Sequence, residues 1–290
     1  MKKFGIIAHI KRPNVKRTAK VIMDWADKQG LEYWICEELS GIAGKTERFK
    51  PKSRIWEDVD CVISLGGDGT ILSSVRAIGQ HNIPVFGINV GSLGFLTEVL
   101  AQDIPSALDK LKNDEFFIEE RMILEAKVTS KQDINYNALN DVVLDNGGLS
   151  RLIKLDLYRD KQFVCSYNAD GLIISTPTGS TAYNLAAGGP VMHPNLGAII
   201  ASPICPHSLT LRSILFDENS KLAVRVAVNE INARLTVDGQ LGCMLDSHEK
   251  VIVKKAPYRA KLIRLKEYSF FEILRTKLHW GARPLTNGNA

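Results

Sequence analysis

Short apolar runs alternate with amphipathic segments through the first third of the chain. The runs are unbroken and bounded by glycine or polar residues, which is typical of strands buried on both faces of a parallel sheet. They lie at Phe4–Ala8, Leu31–Cys36, Cys61–Leu65 and Ile83–Ile88. Helical spacing predicts helices over Val15–Lys28, Thr70–Ile78 and Ile104–Leu111, and a polar loop over Ser40–Arg54. This alternation predicts an α/β, doubly wound, Rossmann-like domain over residues 1–116.

The period of the pattern changes near Phe117. Leu124–Val128 and Ile153–Tyr158 alternate apolar and polar residues, as half-buried antiparallel strands do. Similar runs follow at Lys221–Val228, Ile231–Val237, Val251–Val253 and Leu262–Leu265. The sequence therefore predicts a mainly-β C-terminal domain over residues 117–267.

The last apolar segment returns to helical spacing. Phe270–Leu278 predicts a C-terminal helix that packs back on the first domain. Residues 268–290 would then contain this returning helix and a flexible tail from Arg283 onward.

Composition and charge exclude several classes of protein. The 290 residues are 45% hydrophobic and 24% charged, which is ordinary for a globular protein. The formal charge of +5 is spread along the chain, apart from a small cluster at Lys11–Lys20, so we expect no binding of nucleic acid. No apolar stretch is long enough to span a bilayer, so we expect no membrane association.

The five cysteines point to a cytoplasmic location. Their spacing matches no zinc site, and an odd number argues against a disulfide framework. Several of them lie within apolar runs. We therefore expect buried, reduced thiols, as in cytoplasmic proteins.

A glycine-rich loop joins a predicted strand to a predicted helix. The stretch Asp60–Thr70 reads Asp-Cys-Val-Ile-Ser-Leu-Gly-Gly-Asp-Gly-Thr, and its glycines let backbone N–H groups approach phosphate oxygens. A carboxylate in such a loop repels phosphate unless it binds a metal or accepts a proton from a hydroxyl. Asp68 therefore indicates phosphoryl transfer. An ordinary glycine turn between strand and helix would show the same pattern.

A second glycine loop follows the next predicted strand. In Asn89–Leu96, two glycines lie among apolar residues just beyond the carboxyl end of that strand. Open α/β sheets bind ligands at this edge, although a plain turn would have the same composition.

Residues 168–183 are rich in hydroxyl side chains, and they include the apolar run Leu172–Ile174, which is typical of a buried strand. The hydroxyl residues are Ser175, Thr176, Thr178, Ser180 and Thr181. Such groups hydrogen-bond a polar ligand, and Tyr183 offers a face to a planar ring. A helix predicted over Ala182–Ala187 would place its N-terminus beside that ligand. The alternative is a Ser/Thr-rich turn with an ordinary helix cap.

These segments together resemble the NAD kinases. The resemblance rests on the glycine loop 66–70, on Asn140-Asp141 and on Asp170–Tyr183, in that order and at similar separation. The segments 188–190, 206–209 and 238–240 also resemble theirs. Diacylglycerol kinases and phosphofructokinases carry similar glycine loops, so the hydroxyl-rich stretch is the discriminating part.

The resemblance implies a kinase that transfers the γ-phosphate of ATP to the 2′-hydroxyl of the adenosine ribose of NAD, giving NADP and ADP. Asp68 would be the general base for that hydroxyl, a role worth roughly two to four orders of magnitude in rate. ATP would be the phosphoryl donor, with Mg²⁺ or another divalent cation bridging its oxygens. No metal-ligating protein residue is expected.

The resemblance also assigns binding residues. The phosphate-binding residues would be Gly66, Gly67, Gly69 and Thr70. Residues for the adenosine end of NAD would be Asn140, Thr178, Thr181 and Tyr183, with Ala182 in the same binding set. Asp141 and Asp170 would bind ribose hydroxyls or the nicotinamide half. The family often has Glu where this chain has Asp141, which is one methylene shorter.

The expected partners are NAD, ATP and further copies of the chain. NAD kinases form homo-oligomers, so the resemblance implies a dimer or a tetramer.

Other functions stay open. A kinase with the same loop could act on a lipid or a sugar phosphate, although the strands show no apolar groove or membrane-facing patch. A non-catalytic nucleotide sensor could retain the loop, but Asp68 is intact. A nicotinamide-dependent oxidoreductase would carry Gly-x-Gly-x-x-Gly after its first strand, and this chain lacks that motif.

Overall fold

The chain divides into two compact units. The computed structural model describes residues 1–10, 14–43, 48–91, 94–100, 103–129, 134–148, 152–227 and 233–281. Unit 1 comprises Met1–Glu119 with Lys261–Ala290, and unit 2 comprises Glu120–Ala260. The sequence prediction placed these divisions after residues 116 and 267. None of the helices in the described ranges has the length and apolar character to cross a membrane.

Unit 1 alternates strands and helices, as the hydrophobic pattern predicts. Its strands are β1 (Lys3–Ala8), β2 (Glu32–Cys36), β3 (Phe49–Lys50), β4 (Cys61–Gly66), β5 (Val85–Asn89) and β6 (Val99–Leu100). Its helices are α1 (Val15–Gln29), α2 (Ser40–Ala43), α3 (Asp68–Ile78), α4 (Ile104–Lys112) and, near the end of the chain, α6 (Phe270–Leu278). Two further strands, β7 (Phe116–Val128) and β18 (Lys250–Leu265), run through the unit divisions.

The strands of unit 1 form a parallel sheet in the order β18-β5-β4-β1-β2-β3. All six residues of β4 are buried, as expected for a strand covered on both faces. Residues such as Phe4, Ile22 and Ile63 pack into one core cluster with buried residues of α4 and β18. Because the strands are parallel, the loops after β4 and β5 leave the sheet at the same edge.

Unit 2 is mainly β. Its remaining elements are β8 (Ile134–Ala138), β9 (Asp141–Asp145), β10 (Ile153–Arg159), β11 (Gln162–Ala169), β12 (Gly171–Ser175), α5 (Tyr183–Ala186), β13 (Ala198–Ile204), β14 (Ile214–Asp217), β15 (Leu222–Val226), β16 (Ala233–Val237) and β17 (Leu241–Leu245). One antiparallel sheet has the order β14-β13-β12-β9-β16-β17, and β11-β10-β15-β18 form a second antiparallel array. Inward residues of both sheets, among them Leu144, Leu172 and Val224, form one core cluster.

Several elements differ from the sequence prediction in extent. The predicted loop Ser40–Arg54 contains α2, β3 and a 3₁₀ turn at Lys52–Arg54. The runs at Val251–Val253 and Leu262–Leu265 belong to one strand, β18, because the polar residues between them interrupt the apolar alternation without ending the strand. Residues 228–232 and the tail from Arg283 lie outside the described residues.

The cysteines differ in exposure. All five are free thiols, and Cys36 and Cys61 are buried as expected. Cys205 is exposed, and Cys165 and Cys243 are only partly buried, so the expectation of buried thiols is wrong for Cys205 and holds in full only for Cys36 and Cys61.

Candidate active site

The glycine loop is a tight junction between β4 and α3. Gly67 is the N-cap in an extended conformation, so the helix begins at Asp68, two residues before the predicted start at Thr70. A Cβ atom on Gly66 would overlap the side chain of Thr70, which explains why this position is glycine. The Thr70 N–H donates to the Gly67 carbonyl at 2.8 Å and closes the first turn. Backbone N–H groups at such a helix start suit a phosphate.

The Asp68 carboxylate is held by three successive backbone N–H groups. Phe95 N donates to Oδ2 at 2.8 Å, and Leu96 N and Thr97 N donate to Oδ1 at 3.0 and 3.3 Å. A Cβ atom on Gly94 would overlap this carboxylate, so the loop approaches it as closely as a backbone can. A carboxylate has about four lone-pair sites, and three are used here. Because Asp68 is only partly buried, the remaining acceptor capacity is open to a ligand.

The loop that holds Asp68 is itself cross-linked. Asn89 Nδ2 donates to Thr97 Oγ1 at 3.1 Å, and the Gly94 N–H donates to the same hydroxyl at 2.8 Å. Val90 N donates to the Gly66 carbonyl at 3.1 Å, which joins this loop to the glycine loop. Residues 92 and 93 lie outside the described part of the chain. The two glycine loops predicted from the sequence therefore form one structure around Asp68.

The described residues offer no ready-made cage for a metal ion. No group of three or more His, Cys, Asp or Glu side chains within these ranges could hold one. Mg²⁺ commonly binds through one or two carboxylates together with substrate phosphates and water. An ion held in that way needs no cage of protein ligands, so the acceptor capacity of Asp68 beside the helix start fits a Mg²⁺ ion that arrives on a nucleotide.

The hydroxyl-rich stretch of unit 2 folds into a 3₁₀ turn over Thr178–Thr181, followed by α5. The helix predicted over Ala182–Ala187 is thus only the four residues of α5, because the tighter turn precedes it and glycines follow. Gly179 N donates to Thr176 Oγ1 at 3.0 Å, and Thr176 Oγ1 donates to the Leu139 carbonyl at 2.6 Å. The hydroxyls of the stretch therefore serve partly to fix its own backbone.

Asn140 lies where this stretch meets the start of β9. Its carbonyl accepts from Thr176 N at 2.9 Å and from Ser175 Oγ at 3.2 Å. A Cβ atom on Gly179 would overlap that carbonyl, so glycine is needed there. Across the described ranges, no protein group hydrogen-bonds the side-chain amide of Asn140. This amide is therefore available to a ligand.

A second carboxylate holds the backbone of Asn140 in place. Asp238 Oδ1 accepts from Asn140 N at 2.8 Å and from Asp141 N at 3.3 Å, and Oδ2 accepts from Leu139 N at 3.1 Å. Asp238 lies in the turn between β16 and β17 and is 8% exposed. The sequence showed Asp238-Gly239-Gln240 only as a family segment or a hairpin turn. The spacing gave no sign of this contact, which spans about a hundred residues.

Asp141 is buried beside Asp238. Only 4% of its surface is exposed. Removal from water, and then the neighbouring Asp238 carboxylate, raise the pKa of Asp141 to about 7. At neutral pH this carboxyl group is therefore protonated in much of the population and can donate a hydrogen bond as well as accept one.

The other predicted NAD-binding residues differ in exposure. Thr178 is 6% exposed, and its hydroxyl accepts from Arg121 Nη1 at 3.2 Å. Asp170, Thr181 and Ala182 are partly exposed, and Tyr183 is 47% exposed. The ring of Tyr183 thus presents a face to solvent, as a stacking residue requires.

Asn184 is a residue that sequence reasoning missed. It is fully buried, and Nδ2 donates to the carbonyls of Ser180 and Pro190 at 3.2 and 3.1 Å. Its Oδ1 accepts from Ser202 Oγ at 2.6 Å. A Cβ atom on Gly189 would overlap this side chain. Asn184 therefore ties α5 to the glycines that follow it and to β13.

Comparisons with known proteins agree along nearly the whole chain. The family model for the ATP-NAD kinase N-terminal domain matches residues 4–116, and the model for the ATP-NAD kinase C-terminal domain matches residues 139–265. The NAD kinase of Syntrophotalea carbinolica is 37% identical over 98% of this chain and 100% of the relative. That of Solibacter usitatus is 39% identical over 98% and 99%.

Solved structures of similar fold are also found. The crystal structure of yeast NADH kinase complexed with NADH has a TM-score of 0.88 at 24% identity, covering 97% of this chain and 89% of that one. An NAD kinase from Archaeoglobus fulgidus in complex with ATP has a TM-score of 0.75 at 25% identity, covering 96% and 98%. The predicted fold class, an α/β domain followed by a mainly-β domain and a returning C-terminal helix, is confirmed.

Proposed function

We infer the chemistry of this chain from its family, because the chain belongs to the ATP-NAD kinases. It is a phosphotransferase with an alcohol group as acceptor, and it phosphorylates NAD at the expense of ATP. The observation that carries the proposed mechanism is the Asp68 carboxylate, fixed by three N–H groups at the start of α3 and still partly exposed.

Asp68 is the general base in this proposal. The 2′-hydroxyl of the adenosine ribose is too weak an acid to ionise at neutral pH, so its proton passes to Asp68 as the oxygen attacks the γ-phosphorus of ATP. The new oxygen–phosphorus bond forms while the bond to the β-phosphate oxygen breaks, and ADP leaves. The three N–H groups keep the carboxylate in one orientation, which is the condition for efficient proton transfer.

The glycine loop binds the phosphates. Gly66, Gly67 and Gly69 bring backbone N–H groups and the N-terminus of α3 to the phosphate oxygens, and Thr70, whose own N–H closes the first turn, completes the binding set. A Mg²⁺ ion bound to ATP would neutralise negative charge on the transferred phosphoryl group. The ATP complex of the Archaeoglobus fulgidus enzyme supports ATP as the donor.

Residues of unit 2 bind NAD in this proposal. Asn140 has a fixed backbone and an available amide, which suits hydrogen bonding to the adenine edge. The Tyr183 ring stacks on a planar group of NAD, and Thr178, Thr181 and Ala182 line the same turn. Asp141 and Asp170 bind ribose hydroxyls or the nicotinamide half, with Asp141 able to donate a proton to a hydrogen bond at neutral pH.

The test is direct. The purified protein is incubated with Mg²⁺, ATP and NAD, and NADP is measured with a dehydrogenase that accepts only the phosphorylated dinucleotide. We expect NADP to accumulate with equimolar ADP. Parallel reactions with diacylglycerol or fructose 6-phosphate as acceptor test the other kinase classes. ADP formed with either of these and not with NAD would refute the proposal.

Two coarser properties complete the proposal. We expect the protein to act in the cytoplasm, in keeping with its free thiols. We also expect a homodimer or homotetramer, and light scattering of the purified protein would measure its mass. A mass equal to one chain of 32.1 kDa would contradict this expectation.

A further inference from the structure

Arg264 is the largest fully buried side chain among the described residues, with none of its surface exposed. It lies near the end of β18, two residues after Leu262, which pairs with Val85 of β5 in the parallel sheet. This register places Arg264 beside Gly87, two residues before the end of β5 and the loop that follows it. A buried guanidinium is costly unless its charge and donors are compensated, so its partners indicate why it is there.

Two carboxylates and one backbone carbonyl accept hydrogen bonds from Nε and Nη1 of Arg264, whereas its buried Nη2 has no hydrogen-bond partner among the described residues. Its Nε donates to Glu119 Oε2 at 2.8 Å, and its Nη1 donates to Glu98 Oε2 at 3.0 Å. Nη1 also donates to the Leu96 carbonyl at 3.0 Å, and the guanidinium lies over the Tyr268 ring at 4.1 Å. Arg264 therefore has a defined orientation, and one of its nitrogens is shared between a carboxylate and the backbone of the Asp68 loop.

The Leu96 carbonyl belongs to a peptide unit that also contacts Asp68. The same planar unit ends in the Thr97 N–H, which donates to Asp68 Oδ1 at 3.3 Å. The Leu96 N–H, on the preceding peptide unit, donates to the same oxygen at 3.0 Å. Because a peptide unit is rigid, a shift of its carbonyl moves its N–H as well. Arg264 and Asp68 thus hold opposite ends of one peptide.

We propose that Arg264 is a positioning residue for Asp68, acting through the Leu96–Thr97 peptide. The inference rests on the proposed function, in which Asp68 is the general base. Arg264 fixes the carbonyl end of the peptide, and the N–H end then fixes the carboxylate. A hydrogen bond to that carbonyl also polarises the peptide and strengthens its N–H as a donor.

Lysine cannot replace arginine in this arrangement. Its ammonium is a compact charge on a flexible stem, whereas the guanidinium is a planar fork that reaches several acceptors at once. Arg264→Lys retains the charge but cannot serve Glu98, Glu119 and the Leu96 carbonyl together. We expect kcat to fall about tenfold, with KM for NAD within about twofold of wild type.

A matched pair of variants separates positioning from stability. Glu98→Gln and Glu119→Gln each neutralise one carboxylate partner of Arg264, but only Glu98 contacts Nη1, the nitrogen that donates to Leu96. The Glu98 side chain also accepts from Leu265 N at 2.9 Å, so a glutamine oxygen cannot satisfy both donors. We expect Glu98→Gln to lower kcat several-fold, and Glu119→Gln to lower stability with kcat within about twofold. This pair carries the test if Arg264→Lys does not fold.

A double-mutant cycle gives the decisive measurement. If Arg264 acts through Asp68, Arg264→Lys should lower kcat about tenfold in the wild-type background and less than about twofold in an Asp68→Asn background. A structural role alone would lower kcat by the same factor in both backgrounds, and that result would overturn the proposal. Equal kcat losses in Glu98→Gln and Glu119→Gln would also overturn it. If Asp68→Asn itself kept wild-type turnover, the assignment of Asp68 as general base would be wrong. That result is distinct from failure of the Arg264 proposal alone, in which Asp68→Asn lowers kcat but the effect of Arg264→Lys does not depend on Asp68.

Discussion

The two units each contain a carboxylate that accepts hydrogen bonds from three successive backbone N–H groups, but the two carboxylates differ in exposure. Asp68 binds the backbone of residues 95–97 and is partly exposed, whereas Asp238 binds residues 139–141 and is 8% exposed. In both cases the contact fixes a loop and also fixes the carboxylate. Only Asp68 retains a surface that a substrate hydroxyl can reach. The comparison teaches that exposure, rather than hydrogen bonding, distinguishes the carboxylate proposed as general base from the one that only fixes a loop.

The largest effect is expected for Asp68→Asn. An amide retains most of the shape and can keep part of the loop contact, but it cannot accept the ribose proton. We expect kcat to fall at least about a hundredfold, while the dissociation constant for NAD changes less than about threefold. Steady-state assays and calorimetric titration with NAD would measure the two quantities. Turnover at the wild-type rate would show that the general base lies elsewhere.

Asp238→Ala tests the structural member of the comparison. The variant leaves three backbone N–H groups at residues 139–141 without their acceptor, so the free energy of unfolding should fall by roughly 2 to 3 kcal/mol. Denaturant titration would measure this loss. Asp217→Ala is the matched control, since that exposed carboxylate accepts one N–H, from Asn219 at 2.8 Å, and its loss should cost below about 1 kcal/mol. Equal losses of stability in Asp238→Ala and Asp217→Ala would show that the three hydrogen bonds of Asp238 contribute no more than the single one of Asp217.

The neighbour of Asp238 gives a pH-dependent prediction. The pKa of Asp141 rises from 3.8 to about 7 in the folded chain, so between these values the folded state holds a proton that the unfolded state has lost. Stability from this group therefore falls as pH rises from about 4 to 7. Asp141→Asn removes this dependence. We expect the difference in free energy of unfolding, variant minus wild type, to increase by about 2 kcal/mol as the pH rises from 5 to 8. If that difference stayed constant from pH 5 to pH 8, the raised pKa of Asp141 beside Asp238 would be contradicted.

The smallest effects are expected at two glycines, one in close contact with the Asp68 carboxylate and one in close contact with the backbone of Asn140. A Cβ atom at Gly94 would overlap the Asp68 carboxylate, and one at Gly179 would overlap the Asn140 carbonyl. We expect Gly94→Ala to lower kcat about tenfold and Gly179→Ala to raise KM for NAD about tenfold. Gly41→Ala, where nothing lies within 4 Å, is the control and should match wild type. If both active-site variants changed the same kinetic constant, the division of roles between the loops would be wrong.

The sequence predicted the fold class well because hydrophobic period reports burial directly. The unbroken run of β4 and the alternation in β10 each appear in the structure as strands of the expected kind. The extents of some elements differ from the prediction, since a polar segment inside β18 conceals its continuity and the start of α3 depends on how Gly67 caps the helix.

The candidate site was predicted only in part. Glycine and hydroxyl spacing located the loops around Asp68 and Asn140, because those signals are local in the chain. The supports of these loops are long-range contacts. Asp238 lies 98 residues from Asn140 in sequence, and Arg264 lies 168 residues from Leu96. No local sequence pattern indicates contacts between residues so far apart, so the roles of Asp238 and Arg264 could be recognised only from the three-dimensional structure.

The late position of Arg264 has a consequence for synthesis on the ribosome. Unit 1 is interrupted by unit 2 in the sequence, so the strand segment that pairs with β5 and contacts the Asp68 loop is translated only after residues 120–260. A nascent chain released from the exit tunnel as far as residue 250 has the glycine loop but lacks this segment. Assembly of unit 1 therefore waits until unit 2 has been translated, and a product truncated before Lys261 would lack this support of the Asp68 loop.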